Sequence, residues 1–592
     1  MNKILLSSVL ASAVLFSACE DNLDIEQKGV TEIDNFYQTD NDAEQALVAA
    51  YQGFLQNSCS NQGGSIYCPS YLVFNLCGDD VFAAGSNLGD NDYIAAMNEF
   101  RYNTDNSVVQ NAYKNYYYAI RDANFVIDKF KDGLPGVGHT ATTQRVVAEA
   151  RVLRAYIHMM LAIGWNNPPK VDHVRTLKEL PLPQNCDHNE LLKWCAEECE
   201  AAEPYLDERK SPTDKEGAAK VTKGLAWSIA GKCYLFLKDY EKCKTALKKV
   251  IDSKKYELVP GDRFADNFHV EGDLNEEKIF EANFHQNPNV GDWGGNIQRS
   301  TWMQVNLWNW RTDHMKAAPN ATYVTVDGWG GCGVPMAFAK EFIDNDGLDS
   351  YRLKASIVSV EDAFFGKLID YDYDTGKKDA NNKPITAKVS TLSESELNTS
   401  NFIGINNTSD GLYGQSLYLP LKPLAKSTDL FNPRNNKRNN NYVVMRYAEV
   451  LLMYAEACVM TNKADEAKTY VNMIQTRAGS NTISDKVDLD VIKKEKKLEL
   501  WLEGNRWPDM VRWGDFALAQ KAGTEVTKVF DKVYRKVESG DQIAEEHDRF
   551  YSIYAPEAKG RATGFQSGKH EYFPFPQSVL SLNPDLKQNP GW

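Results

Sequence analysis

From Asp42 onward the chain sets apolar residues at helical spacing. In DAEQALVAAYQGFLQ, Ala46, Ala49, Ala50, Phe54 and Leu55 fall near one stripe, and Asp42 stands where a cap belongs. The pattern returns in SVVQNAYKNYYYAIRDANFVIDKFKD (107–132), stopped by Gly133-Leu134-Pro135, and in TTQRVVAEARVLRAYIHMMLAIGW (142–165), stopped by Asn-Asn-Pro-Pro. It appears again in DHNELLKWCAEECEAAEPYL (187–206) and across 220–253, where Lys238-Asp239-Tyr240 predicts a break between two helices. A further pair, RYAEVLLMYAEACVM (446–460) and ADEAKTYVNMIQTRAG (464–479), lies near the C-terminus. Two stretches lack this spacing. Residues 57–106 read as a loop rich in Gly, Asn and Ser. Between about 260 and 435 Gly, Asn, Asp and Trp accumulate.

The resulting fold class is mainly α. In AAKVTKGLAWSIAGKCYLFLKDYEKCKTALKKVID the small residues Ala226, Ala230 and Gly231 sit where helices must approach closely, followed by Tyr234, Tyr240 and Ala246. That arrangement resembles a tetratricopeptide repeat, a helix pair of about 34 residues with small and aromatic positions in register. The predicted layout is a helix-pair scaffold over 41–260, completed by 436–592 and interrupted by a loop-rich lobe at 261–435. Loops carried on a rigid frame are the usual place for binding residues.

The first residues set the compartment. Met1-Asn2-Lys3 is followed by an apolar run from Ile4 to Phe16 and then by small Ser17 and Ala18. This is the layout of a secretory signal peptide over residues 1–18, too short to span a bilayer. Cys19 would then be the first mature residue, and FSAC resembles the lipobox at which bacterial lipoproteins receive lipid; Phe16 departs from the usual Leu, with Leu15 one step early. Residues 19–40 read as a lipidated cysteine and an acidic tether, in which Glu20, Asp21 and Asp24 resemble an export signal to the outer cell surface. The net charge of −15 argues against nucleic acid as a partner. Ten further cysteines, at 59, 68, 77, 186, 195, 199, 233, 243, 332 and 458, permit disulfides in an exported protein but are far too sparse for a disulfide scaffold. Cys195 and Cys199 share a helical face and read as core thiols, since metal ligation needs two more ligands.

Catalytic signatures are missing: the chain has no HExxH, no Gly-x-Ser-x-Gly, no Walker loop and no dinucleotide fingerprint, and no cofactor is implied. DYDYDTG (370–376) has the alternating acids of a calcium loop, but its Gly is misplaced and no terminal Glu follows, so a solvated turn is expected. What stands out is aromatic density. Trp293, Trp302, Trp308, Trp310 and Trp329 lie among Asn296, Gln298, Asn306, Asn309 and Asp327. Sugar rings offer C–H faces and a rim of hydroxyls, which flat indoles and amide or carboxylate groups suit well. Each indole alone is equally well accounted for as core. Trp329 is the strongest single candidate, because Gly328, Gly330 and Gly331 leave space around it; Cys332, at the end of that segment, is counted with it as a ligand-binding residue. CGDDVFAAGSNLGDNDY (77–93) is a second candidate loop, with Asp79, Asp80, Asn87, Asp90, Asn91 and Asp92 as acceptors and Phe82 and Tyr93 as faces.

Several blocks together resemble one family. They are FYQTDNDAEQALVAAYQGF (36–54), AEARVLRAYIHMMLAIGW (148–165), SKKYELVPG (253–261), EEKIFEANF (276–284), RYAEVLLMYAEA (446–457), KKLELWLEGNRWPDMVRWGD (496–515) and YFPFPQSVLSLNPDLKQNPGW (572–592). The chain thereby resembles the SusD/RagB family of Bacteroidetes nutrient-binding lipoproteins. The resemblance implies four tetratricopeptide-like helix pairs against an irregular lobe, and a non-enzymatic surface protein. Such a protein binds an oligosaccharide, or alternatively a peptide, and serves as the lid of a SusC-like TonB-dependent outer-membrane transporter. A surface glycoside hydrolase is a remote alternative. It also implies that Arg446, Tyr447, Glu449 and Glu456 on one helix, and Glu499, Glu503, Arg506, Asp509 and Arg512 on another, build a buried stabilising network. Ligand residues vary within this family, so only the two loop regions carry over.

Overall fold

Helix α1 (Asp40–Phe54) begins at a capping box: Thr39 Oγ1 accepts from Asp42 N–H, and the Asp42 carboxylate accepts from Thr39 N–H at 2.9 Å. Asp42 therefore works from the third helical position, and Thr39 is the cap. The computed structural model describes residues 37–59, 69–83, 92–176, 178–284, 330–359, 372–388, 418–424, 426–432, 437–438, 440–516 and 564–592. The expected loop after α1 contains helix α2 (Pro69–Asn75), strand β1 (Phe82–Ala83) and helix α3 (Asp92–Asn98). Leu72, Val73, Ile94 and Met97 are fully buried, so two short apolar runs fold against the core although each is too short to display a periodic stripe.

The long helices follow the predicted boundaries closely: α4 (Ser107–Phe130), α5 (Ala141–Trp165), α6 (His188–Ala202), α7 (Lys223–Phe236) and α8 (Tyr240–Ser253). Asn106, Thr140, Asp187 and Asp239 supply side-chain caps at four of their starts. The break between α7 and α8 comes where expected, with Lys238 in the left-handed region at φ 61°. Gly231 is needed for close approach, since a Cβ there would lie 2.4 Å from a Leu247 methyl.

After α8 the chain enters short strands and helices: β2 (Lys278–Ala282), β3 (Cys332–Gly333), α9 (Met336–Asp346), α10 (Tyr351–Ser356), β4 (Ile357–Ser359), β5 (Asp372–Lys378), β6 (Pro384–Lys388), β7 (Tyr418–Pro420), β8 (Leu430–Asn432), β9 (Lys437–Arg438) and β10 (Tyr442–Arg446). The described strands pair only two by two and antiparallel: β1 with β3, β2 with β10, β4 with β7, β5 with β6, β8 with β9. The described part of DYDYDTG, residues 372–376, is strand and not a turn. Asp372 and Asp374 lie in β5, opposite Lys388 and Thr386 of β6, where an acid–tyrosine alternation matches the two-residue period of a strand. Helices α11 (Tyr447–Met460), α12 (Ala464–Ala478), α13 (Leu489–Glu499), α14 (Arg506–Trp513) and α15 (Gln577–Leu582) complete the chain. Successive helices stack side by side, α4 on α5, α5 on α6, α6 on α7 and α7 on α8. The row then continues from α8 directly to α11 and α12, while α1 lies across α4 and α5. Sequence-distant halves thus share one helical scaffold, as the hydrophobic spacing implies. The last residues are pinned to it: Trp165 Nε1 donates to Pro574 O, and Asn589 Nδ2 donates to Trp165 O.

The expected charged network is present, with its residues arranged differently. Arg446 ends β10 instead of lying within a helix, and the second segment is two helices, because Leu502 (φ 61°) and Gly504 (φ 76°) turn the chain between α13 and α14. Arg446 is fully buried and places all five N–H donors. Nε donates to Glu503, one terminal nitrogen to Glu277 and Glu499, and the other to Glu503 and the Glu499 carbonyl, at 2.6–2.7 Å. Arg477 also pairs with Glu277 and Glu499, and Arg352 with Asp346, Glu495 and Glu499. Burial alone would raise the Glu499 carboxyl, but Arg477, Arg446 and Arg352 hold it well below the usual range. Glu456, Asp509, Lys496 and Arg512 form a second cluster, and Lys232 pairs with Glu449 at 2.8 Å.

The described cysteines, at 59, 77, 186, 195, 199, 233, 243, 332 and 458, are all free thiols. Cys195, Cys199 and Cys233 are buried where α6 meets α7, and burial pushes the first two thiols well up, which makes them poor nucleophiles and poor metal ligands. No described helix is long and apolar enough to cross a membrane.

Candidate functional site

The two candidate loops, distant in sequence, are joined at their roots. Strand β1 pairs with β3 so that Phe82 faces Gly333 and Ala83 faces Cys332. The chain therefore departs toward Asn87 and Asp90 from the end of one strand and arrives from Trp329 at the start of its antiparallel neighbour, through the buried backbone of Gly330 and Gly331. Gly330 takes φ 62°, a conformation that glycine adopts without strain. Trp293, Trp302, Trp308, Trp310, Trp329, Asn87, Asp90 and the lipidation residue Cys19 lie outside the described residues. Of Phe82 only the backbone is described.

Tyr93 lies in the first turn of α3, half-buried against the main core, and its carbonyl accepts from Asn106 Nδ2 at 2.9 Å. Cys332 corrects an expectation. Its side chain is 1% exposed inside the main core, so it supports the strand and offers a ligand no surface. Asp79 and Asp80 are likewise closed to a ligand, the first by its ion pairs and the second by burial. Asp79 is gripped by Arg506 through Nε at 2.6 Å and Nη2 at 3.0 Å, and by Lys497 at 2.9 Å. Burial opposes its ionisation, but Lys497 and Arg506 prevail and hold its carboxyl well below the usual range. Asp80 is 2% exposed, and burial together with the neighbouring Asp79 charge pushes it up to about 7.

Other residues hold this root, and the sequence does not advertise them. Asn98, at the end of α3, accepts from Ala83 N–H at 3.1 Å and donates to the carbonyls of Leu76 and Val81 at 2.9 and 3.0 Å, which fixes β1 from one side. Trp501 Nε1 donates to the Asp80 carbonyl at 2.9 Å, and its ring stacks on Phe338 of α9 at 5.3 Å. Lys497 bridges Asp79 to Glu341 of α9. A buried asparagine at a helix end was the one available signal, because such a side chain must find backbone partners.

A cleft of about 700 Å³ lies elsewhere, among α1, the start of α5 and the end of β2. Several of its polar side chains pair with one another: Tyr51 donates to Glu149 and accepts from Val221 N–H, and Arg145 pairs with Glu44 and Glu149. The strand-paired loops are the candidate carried forward from the sequence. Among the described residues no three His, Cys, Asp or Glu side chains are grouped to hold a metal.

Comparison with known proteins fits this architecture. The pattern of the SusD family is matched by residues 276–592, more than half of the chain. SusD-like protein P25 of Formosa agariphila is 22% identical over 515 residues, covering 84% of this chain and 87% of the relative. A SusD-like protein of Bacteroides ovatus is 36% identical over 76 residues, which is 12% of this chain and 14% of the relative. Among solved structures, a laminarin-binding SusD-like protein matches with a TM-score of 0.69 at 20% identity, over 94% of this chain and all (100%) of that one. Surface glycan-binding protein A from Bacteroides thetaiotaomicron, in complex with laminarihexaose, matches with a TM-score of 0.67 at 20% identity, over 93% of this chain and 100% of that one. At these identities the likeness establishes a shared fold.

Proposed function

The chain belongs to the SusD family, and from that premise we propose that it is a glycan-binding lipoprotein of the outer cell surface, anchored through Cys19. It captures oligosaccharides without chemistry and delivers them to a TonB-dependent outer-membrane transporter, over which it sits as a lid. The observation that supports the reading is the β1–β3 ladder, because the Asn- and Asp-rich loop leaves from one of its strands and the Trp-rich segment leads into the other. An aromatic platform beside amide and carboxylate groups is the chemistry a sugar requires. Relatives of the same fold carry names for binding laminarin or laminarihexaose, which supports a glycan over a peptide.

Trp329 is the residue expected to carry the platform. Stacking of a flat ring on one aromatic is worth about 1–3 kcal/mol, by analogy with bases on aromatic side chains, which corresponds to roughly 5- to 150-fold in Kd. Trp329→Ala should weaken the tightest oligosaccharide of a calorimetric panel, laminarihexaose included, by that factor while leaving the thermal midpoint unchanged. Equal affinity of variant and wild type would remove Trp329 from the site.

A further inference from the structure

Lys497 lies in α13, far in sequence from both strands of the ladder, yet its side chain joins the flank of one to the flank of the other through ion pairs. Its ammonium is 2.9 Å from Asp79, three residues before β1, and 2.7 Å from Glu341, in the helix that follows β3. The side chains of Lys497 and Asp79 are each 6% exposed, whereas Glu341 is 33% exposed. Lys497 also lies 5.7 Å from the centre of the Phe338 ring, which stacks on Trp501, the donor to the Asp80 carbonyl. Burial would lower the Lys497 ammonium, but the Asp79 charge holds it above its ordinary value, so it stays cationic.

We propose that Lys497 is a positioning residue for ligand capture: by holding Asp79 and Glu341 on one ammonium, it fixes the segment entering β1 against the helix leaving β3. The inference rests on the glycan-binding reading for its ligand and on the described contacts for its mechanics. Two carboxylates drawn to one cation would otherwise repel, and the two responses to losing it differ. Asp79 keeps its bidentate partner Arg506, so the fold persists. Glu341 is exposed enough to turn to solvent, so the ionic link between α9 and the β1 flank is lost and the Trp501–Phe338 contact still joins them. Burial already penalises charge here, and Asp80, Asp79, Arg506 and Glu341 are the ionisable groups that surround the lysine.

The test combines hydrogen exchange of the free protein with titration by the oligosaccharide that binds wild type best. In Lys497→Met, peptides covering 76–83 and 330–340 should exchange about tenfold faster, while those of α7 and α11 keep wild-type rates; Kd should rise about tenfold. Lys497→Arg should restore both readouts, a rescue that mere loss of stability would not show. Glu341→Gln should reproduce the effect and add nothing in the Lys497→Met background. Unchanged exchange at both peptides overturns the proposal, as does faster exchange with unchanged affinity. If wild type binds no sugar of the panel, the glycan reading and the ligand half of the proposal fall together. The exchange data still decide whether Lys497 couples the two strands. Should Lys497→Met not fold, Glu341→Gln answers the same questions, since it removes one arm of the bridge and leaves Asp79 with Lys497 and Arg506.

Discussion

Replacing Arg446 with leucine is expected to lower the unfolding free energy by about 3–5 kcal/mol, the usual cost of removing one partner from a buried ion pair. Arg446 meets Glu277, Glu499 and Glu503 with every donor it has, and the first two carboxylates, fully buried, have no water to fall back on. Arg477 and Arg352 would continue to neutralise part of the charge, which keeps the loss within that range. Lysine should fail as a substitute, since one compact ammonium lacks the fork that reaches three carboxylates. The pH dependence follows from the same pairs. Burial works against the charged forms of Glu277, Glu499 and Glu503, yet their arginine and lysine neighbours hold all three carboxyls below their ordinary value of 4.5. Their contribution is therefore complete above about 4.5 and is lost as the pH falls through the folded values. Urea melts at pH 7 and pH 4 should show wild type losing stability with acid and Arg446→Leu losing less, because part of that linkage is already gone. Identical midpoints for the two proteins at pH 7 would mean that the network contributes nothing net.

The second large effect is expected at the opposite end of the chain. With two or three acyl chains on Cys19, each buried methylene contributing about 0.8 kcal/mol, attachment is effectively permanent, whereas a hydroxyl at that position offers no site for lipid. Cys19→Ser should move the protein from the membrane fraction to the soluble one, and mass spectrometry of mature wild type should find a lipidated cysteine at its N-terminus. An unmodified mature N-terminus at another position would end the anchoring proposal and leave the binding proposal intact.

Much of the scaffold was legible because amphipathic spacing reports a helix wherever one face meets a core. Helices α4, α5, α7 and α8 therefore lie close to where their hydrophobic positions put them. The short helices α2 and α3 escaped because seven residues apiece buried among polar neighbours show no period. The charged residues of the C-terminal blocks were recognisable as a buried network by type. Their partners were not, since Arg446 reaches Glu277 across 169 positions. The same distance problem misdirected Asp79 and Asp80. Acids in a loop look like free acceptors until Lys497 and Arg506, more than 400 positions away, are seen to hold Asp79. The pairing of the strands that flank the two candidate loops was equally invisible, because a ladder of two residues per strand leaves no pattern in the sequence. Adjacency to Trp329 makes Cys332 look like part of the site, but both residues of β3 are buried and the thiol lies inside the main core.

Capture without chemistry is tested most directly by incubating the mature protein with a panel of polysaccharides and oligosaccharides, and reading bound sugar and new reducing ends in the same samples. Saturable retention of at least one glycan, recovered intact with no new reducing ends, is the expected result. Failure to retain any glycan, or release of reducing ends by the pure protein, would contradict it.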